Sequence, residues 1–189
     1  MSQLILIRHS LPERDTTIPA AQWRLSHQGR ERCRALAEQL KPYNLTLLIS
    51  SGEPKAVETA RLAGGQLGIA SQIAAGLHEH DRSNLGFLPE RGRFEALVQE
   101  FFEKPGEKVF GAETADQTHG RFLAAVETLV QTHLDEKLGI VAHGAVIALL
   151  ASRANGLDAF AFWQRLGMPG FVVVEPPHFE MVEMVNEVG

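Results

Sequence analysis

The sequence predicts an α/β three-layer sandwich, with helices on both faces of a mostly parallel central sheet. Three observations carry that prediction. Leu4-Ile5-Leu6-Ile7, Leu45-Thr46-Leu47-Leu48-Ile49 and Leu138-Gly139-Ile140-Val141-Ala142 are apolar runs without alternation, the pattern of strands buried on both faces. A helical pattern follows each run. Each run also ends in polar or reactive residues: Arg8-His9, Ser50-Ser51 and His143-Gly144.

The elements follow in order. After an opening loop in which Pro12 and Pro19 exclude a regular helix, Ser26 is an N-cap candidate for a helix to about Leu40. Cys33, Leu36, Ala37 and Leu40 share one face of it, and Pro42 stops it. A second helix runs from Glu53 to about Leu67, with Pro54 in its first turn, where a missing N–H costs nothing. A weak strand at Ser71 to Ala74 leads into Gly76-Leu77-His78-Glu79-His80-Asp81. The texture then changes, because Gly86, Pro89, Gly92, Pro105 and Gly106 punctuate a short helix around Phe94 to Glu103. Thr114 caps a long helix to about His133, and a helix of small and apolar residues (Ala145 to Ala151) follows the strand at Leu138. Asn155-Gly156 breaks it, Asp158 caps a short helix through Arg165, and Phe171 to Val174 and Phe179 to Val185 close the chain as strands. The reading is one domain over 1–189, with a small cap-like insertion at about 82–112.

Composition narrows the function classes. The 189 residues are 44% hydrophobic and 22% charged, enough to bury a sizeable core. A net charge of −5, from 18 basic and 23 acidic residues, gives no global positive field for nucleic acid or an anionic membrane. Attraction for an anionic substrate must therefore come from a few convergent cations. Cys33 is the only cysteine, which excludes an intramolecular disulfide and a thiolate zinc cluster. A strand begins within a few residues of Met1 and no apolar run is long enough to span a bilayer, so the expectation is a soluble cytoplasmic protein. Oligomeric state is not written in the sequence.

In open α/β sheets, ligands bind outside the carboxyl ends of the strands. If the three apolar runs are parallel, Arg8, His9, Ser50, Ser51 and His143 share one such edge. A tight turn at His143-Gly144-Ala145 aims backbone N–H groups at the same place, which makes an anion cradle. That combination describes a phosphate site. A second reading of the residues takes His78, His80 and Asp81 with His143 as the ligands of a hard metal. His27, His119 and His133 read as solvated surface. Phe87, Phe94, Phe101, Phe102 and Phe110 read either as a substrate mouth or as a small core of the insertion.

Six segments resemble the histidine phosphatase superfamily, which includes the cofactor-dependent phosphoglycerate mutases. They are Arg8-His9 after its strand, Leu25-Ser26-His27-Gln28-Gly29, Ser50-Ser51 with Ala56 and Glu58-Thr59-Ala60, Leu77-His78-Glu79, Gly111-Ala112-Glu113-Thr114 with Arg121, and Val141-Ala142-His143-Gly144. The resemblance covers about the whole chain. It implies the fold of that superfamily and a phosphatase needing no metal or cofactor, acting on a small phosphorylated metabolite. It implies His9 as the nucleophile that forms a phosphohistidine, Arg8 and His143 around the phosphoryl group, and Glu79 as general acid and then base, with Asp81 the alternative acid. Lys55, Gly144 and Ala145 are then phosphate ligands, and Ser10, Ser51, Glu113 and Arg121 candidate substrate contacts. Glu113 and Arg121 read equally as a capping and pairing couple on the long helix.

Three residues depart from the family pattern: Ser10 where a glycine is usual, Lys55 in place of the second arginine, and Ala148 where many relatives carry a polar residue. Lysine keeps the charge and loses the bidentate fork. Other outcomes of the resemblance are a phosphoglycerate mutase-like phosphotransferase, a protein phosphohistidine phosphatase, and a catalytically weak binding or regulatory member of the fold.

Overall fold

The structure, a computed structural model, describes residues 3–84 and 91–188. Its strands β1 (Leu4–Arg8), β2 (Leu47–Ser50), β3 (Ala70–Ile73), β4 (Leu138–Ala142), β5 (Gly170–Glu175) and β6 (Glu180–Val185) form one sheet in the order β3-β2-β4-β1-β5-β6. The pairs β1–β4, β2–β4 and β2–β3 are parallel, and β5 and β6 add an antiparallel edge. The sheet is mostly parallel, as the non-alternating runs predict. The helices are α1 (His27–Leu40), α2 (Pro54–Leu67), α3 (Arg91–Glu103), α4 (Ala115–Thr132), α5 (Gly144–Asn155) and α6 (Ala159–Arg165).

Local chemistry sets the helix starts. Ser26 Oγ accepts from Gly29 N at 3.0 Å to begin α1, and Asp158 accepts from Ala161 N to begin α6. Thr114 and Gln117 form a reciprocal capping box on α4. The α5 helix runs past Ala151 to Asn155 and ends at Gly156 in the left-handed region, φ 62°. Its last turn carries the exposed Arg153, so the apolar run alone does not mark its end. The α3 helix likewise starts before the first phenylalanine.

Successive strand residues point to opposite faces. Leu4, Leu6, Leu47, Ile49, Leu138 and Ile140 pack with Phe122 and Val126 of α4, the apolar side of α5, and Phe162 of α6. Ile5, Ile7, Leu48, Val141 and Val173 pack with Leu36, Ala37 and Leu40 of α1 and Ala56, Ala60 and Ala63 of α2. Ala148 is fully buried in the first of these layers. At about 1.5–3 kcal/mol for each fully buried Leu or Ile, the two layers are the main source of stability. A third cluster, Val98, Phe101, Phe110, Ala115, Ala145 and Leu149, with Phe94 and Phe102 against it, seats α3 on α5. The phenylalanines of this segment therefore form a core; Phe87, with Gly86 and Pro89, lies outside the described residues.

Parallel pairing brings three strand ends together. Arg8 is level with Ala142, and Ser50 with Val141. One residue on, His9 N donates to Ala142 O and Ser51 N to Val141 O, both at 3.0 Å. His9, Ser51 and His143 thus leave the sheet at the same edge.

Candidate active site

Two buried histidines face each other at that edge. His9 is 6% exposed and His143 is fully buried, with ring centroids 5.2 Å apart. His9 Nδ1 lies 2.7 Å from the carbonyl of Ser10, which can only accept, so Nδ1 carries the proton and Nε2 the free electron pair. Burial first, then the charges around it, holds the His9 ring well below its ordinary value and keeps it neutral. Burial and Lys55 do the same to His143. His143 Nε2 lies 2.9 Å from Ser51 Oγ, and its Nδ1 has no partner among the described residues.

The carboxylate of Glu53, at the N-cap of α2, links the parts of the site. Its Oε1 accepts from Glu79 N at 2.9 Å and lies 3.4 Å from His143 Nε2, while Oε2 lies 2.5 Å from Lys55 Nζ. Lys55 also donates to Ala20 O at 2.8 Å. The ammonium expected to ligate phosphate is therefore held by a carboxylate and a carbonyl. Ser51 Oγ lies 2.9 Å from His143 Nε2 and accepts from Glu53 N at 3.2 Å. Ser10 is fully buried; its hydroxyl donates to Gly29 O at 2.7 Å and its N–H to Thr59 Oγ1 at 3.0 Å. That fully buried side chain ties β1 to α1 and α2.

Glu79 bends back over its own loop. One oxygen accepts from His80 N at 2.9 Å, the other from Ala145 N at 3.1 Å. Burial alone raises this carboxyl; the nearby His143 and Arg82, with the two N–H donors, reverse that and hold it below the usual carboxylate range. Ala145, expected among the phosphate ligands, thus holds the carboxylate. Behind the loop, Arg121 donates to Glu113 at 2.7 and 2.8 Å and to the carbonyls of Gly76, His78 and Glu79. Glu113 also accepts from Asp81 N, and its carboxyl is pushed down to about 2, where the Arg121, Asp81 and Thr118 donors overcome burial. Glu113 and Arg121 thus pair with each other and brace the loop that carries Glu79, the second of the two readings of these residues. Asp81 accepts from Ser83 N at 2.8 Å. His80 stacks on Phe101 with centroids 4.2 Å apart, and its Nε2 lies 3.0 Å from Glu113 O. The grouping of His78, His80, Asp81 and His143 is not assembled: no cluster of three or more metal-ligating side chains occurs among the described residues.

Arg8 completes the arrangement. It donates to Leu166 O, its guanidinium lies 5.6 Å from the Trp163 ring, and its buried Nε has no partner among the described residues. A Cβ on Gly144 would stand 2.9 Å from Arg8 Cζ and 2.8 Å from Trp163 Nε1, so only glycine lets the guanidinium lie against the start of α5. Burial lowers the Arg8 pKa to about 10, which leaves it cationic at neutral pH. The site offers one neutral imidazole with a free Nε2, a guanidinium, unpartnered buried nitrogen atoms on Arg8 and His143, and a carboxyl: a nucleophile, anion-binding groups and a proton carrier. Sequence reasoning missed Glu53, Arg82 and Trp163. Signals existed for Glu53, beside Ser50-Ser51 at a helix start, and for Arg82, in the run after Glu79. Trp163 arrives only through the packing of α6.

Comparisons with known proteins bear on the family and the fold. A family model described as the histidine phosphatase superfamily, branch 1, matches residues 4–176. No curated protein matches the sequence. Among solved structures, a mycobacterial glucosyl-3-phosphoglycerate phosphatase in complex with inorganic phosphate is 21% identical with a TM-score of 0.76, covering 100% of this chain and 96% of its own. A mutant phosphoserine phosphatase from Entamoeba histolytica, in complex with phosphoserine, is 18% identical at 0.75, with coverage of 100% and 96%. A putative alpha-ribazole-5'-phosphate phosphatase from Escherichia coli is 18% identical at 0.71, with coverage of 99% and 98%. At these identities the likeness is one of fold.

Proposed function

Because the chain belongs to the histidine phosphatase superfamily, we propose that it hydrolyses a small phosphomonoester, without a metal, through a phosphohistidine on His9. One observation carries the reading: a buried, neutral His9 whose Nδ1–H is committed to Ser10 O, beside Arg8 and His143.

The chemistry follows from those groups. His9 Nε2 attacks phosphorus, the N–P bond forms and the P–O bond to the alcohol breaks. The Glu79 carboxyl gives its proton to the departing oxygen. Arg8 and the His143 imidazole donate to the phosphoryl oxygens, where charge develops and fixed donors supply most of the catalysis. In this reading Ser51 Oγ, 2.9 Å from His143 Nε2, donates to that nitrogen, and the neutral ring carries its proton on Nδ1. In the second half, Glu79 as carboxylate takes a proton from water, water oxygen attacks phosphorus, and the electron pair of the N–P bond returns to Nε2. Orthophosphate leaves and His9 is restored. Glu79 begins as a carboxylate, so it takes up one proton from solvent as the dianion arrives and offsets the cations that hold it ionised, and it releases one to solvent when orthophosphate leaves.

The segment at about 82–112 is read as a cap over this edge. It is short, which favours hydrolysis over a mutase that must shield its phosphoenzyme from water. The reading as a weak binding module loses one of its two grounds, since the Ser10 hydroxyl is fully buried and donates to Gly29 O.

Turnover of p-nitrophenyl phosphate by wild type and His9→Ala, with EDTA present, tests the proposal. Wild-type turnover that survives EDTA and falls about a thousandfold or more in His9→Ala is expected, with an acid-labile phosphoenzyme trapped in wild type only. Equal rates for the two proteins, or loss of activity to EDTA, overturn it.

A further inference from the structure

Lys55 takes no part in the steps above, yet it stands at the site. Burial is the first cause that lowers His9 and His143, and the Lys55 ammonium is among the charges that lower both rings further. A cation felt by both imidazoles is also felt by an anion that comes to rest against them. Its side chain is only 7% exposed, and its Nζ is bonded to the protein, at 2.5 Å to Glu53 Oε2 and at 2.8 Å to Ala20 O. Those bonds use two of its three hydrogens.

Glu53 is the group that neutralises it. An acid at a helix start ordinarily caps the helix, but Glu53 opens α2 without a capping bond from its side chain. The carboxylate turns to the site instead. Its Oε1 accepts from Glu79 N at 2.9 Å and lies 3.4 Å from His143 Nε2, while Oε2 takes Lys55. An arriving dianion therefore meets a closed ion pair in place of a free cation, with a like charge beside His143 in a place where solvent screens little. Arg8 is held differently. The bond that fixes it goes to a carbonyl, Leu166 O, which supplies no counter-charge and leaves the guanidinium its full charge.

We propose that Glu53 is a positioning residue that acts as an internal counter-anion: it holds Lys55 back from the phosphoryl group and so keeps the affinity for phosphate low. The role in turnover, which rests on the phosphatase reading, is release. Orthophosphate must leave before the next substrate enters, and a second unpaired cation beside Arg8 would retain it. Attraction that is equal for substrate, transition state and product speeds no chemical step, so withholding it costs the reaction little.

Orthophosphate binding tests it. Calorimetric titration with inorganic phosphate is run on the full chain as wild type, Glu53→Gln, Lys55→Met and the double variant, with p-nitrophenyl phosphate turnover measured in parallel. Glu53→Gln keeps an oxygen for the Glu79 amide and is expected to tighten the Kd by about tenfold or more, with KM falling in the same direction. Lys55→Met is expected to cost at least about tenfold more in the Glu53→Gln background than in the wild-type one, because the ammonium reaches the anion only once the carboxylate is gone. Damage to the fold weakens binding, so it does not imitate this gain. Glu53→Ala is the second variant and is expected to tighten binding in the same sense. A Kd that neither Glu53 variant tightens overturns the inference, as does an equal cost of Lys55→Met in the two backgrounds. Tightening with no turnover by any of the proteins supports the counter-anion and overturns the phosphatase reading alone.

Discussion

Glu53 decides how the cations of this site work. A buried carboxylate within 2.5 Å of Lys55 and 3.4 Å of His143 can be removed from either side, and the two removals differ. Lys55→Ala leaves a carboxylate 11% exposed with its main counter-charge gone, which is costly, while Glu53→Gln leaves an ammonium with the Ala20 carbonyl still accepting. Lys55→Ala is therefore expected to destabilise the fold by roughly 2–4 kcal/mol, and the Lys55→Ala/Glu53→Gln double variant to recover at least about 1 kcal/mol of that. Denaturant unfolding of the four proteins measures the coupling. Additive effects would show that the pair is formed without energetic consequence. The same pair holds the charge of Lys55 near both imidazoles.

Among the elements, the contact between the opening loop and α1 is the least tolerant. A Cβ on Gly29 would stand 2.1 Å from Leu11 O, a backbone atom that cannot swing aside, and Gly29 O also receives the Ser10 hydroxyl at 2.7 Å. Gly29→Ala is expected to lower the melting temperature by at least about 8 °C, the equivalent of a few kcal/mol for a chain of this size. It should also reduce turnover, because residues 10 and 11 directly follow His9, the nucleophile we propose. A thermal melt within about 2 °C of wild type would refute the packing account. At this scale the sequence was informative because its signals are local. Non-alternating runs announce β1, β2 and β4, and caps such as Ser26, Thr114 and Asp158 announce helix starts, each within a few neighbouring residues. The direction of a side chain at the sheet edge is another matter. Nothing near Ser10 says that its hydroxyl turns to α1, and nothing near Lys55 says that Glu53 holds its ammonium. Both depend on where α1 and α2 settle against the sheet. Trp163 is the extreme case, brought to Arg8 from 155 residues along the chain by the docking of α6.

For the whole molecule, the buried imidazoles link stability to pH. His9 and His143 are held well below 6.5 when folded, so the unfolded chain binds more protons than the native one at any pH between the folded values and 6.5. Stability is therefore fully present above about 6.5 and falls as the pH drops, by up to about 1.4 kcal/mol per unit for each ring. Glu79 and Glu113, lowered from 4.5, add to the loss in the same sense at more acid pH. Unfolding free energies measured from pH 7.5 to 5.0 should show this decline, and His9→Asn should show a shallower one. A wild-type profile flat between 6.5 and 5.5 would contradict the buried neutral state of the rings. The same property keeps His9 Nε2 unprotonated in mild acid, so in the proposed reaction protonation of this ring does not set an acid limb near pH 6.5.

The position of Trp163 has a practical consequence. Its indole lies 5.6 Å from the Arg8 guanidinium and against Phe94, and the chain's other tryptophan is Trp23 in the opening loop. With Trp23 replaced by phenylalanine, the tryptophan emission of the protein comes from a fluorophore set beside Arg8. Its brightness and colour respond to the field around the ring. Orthophosphate or vanadate drawn to Arg8 would change that field, and the occupancy of the site could be followed by eye on a fluorimeter trace, without turnover, label or coupled assay.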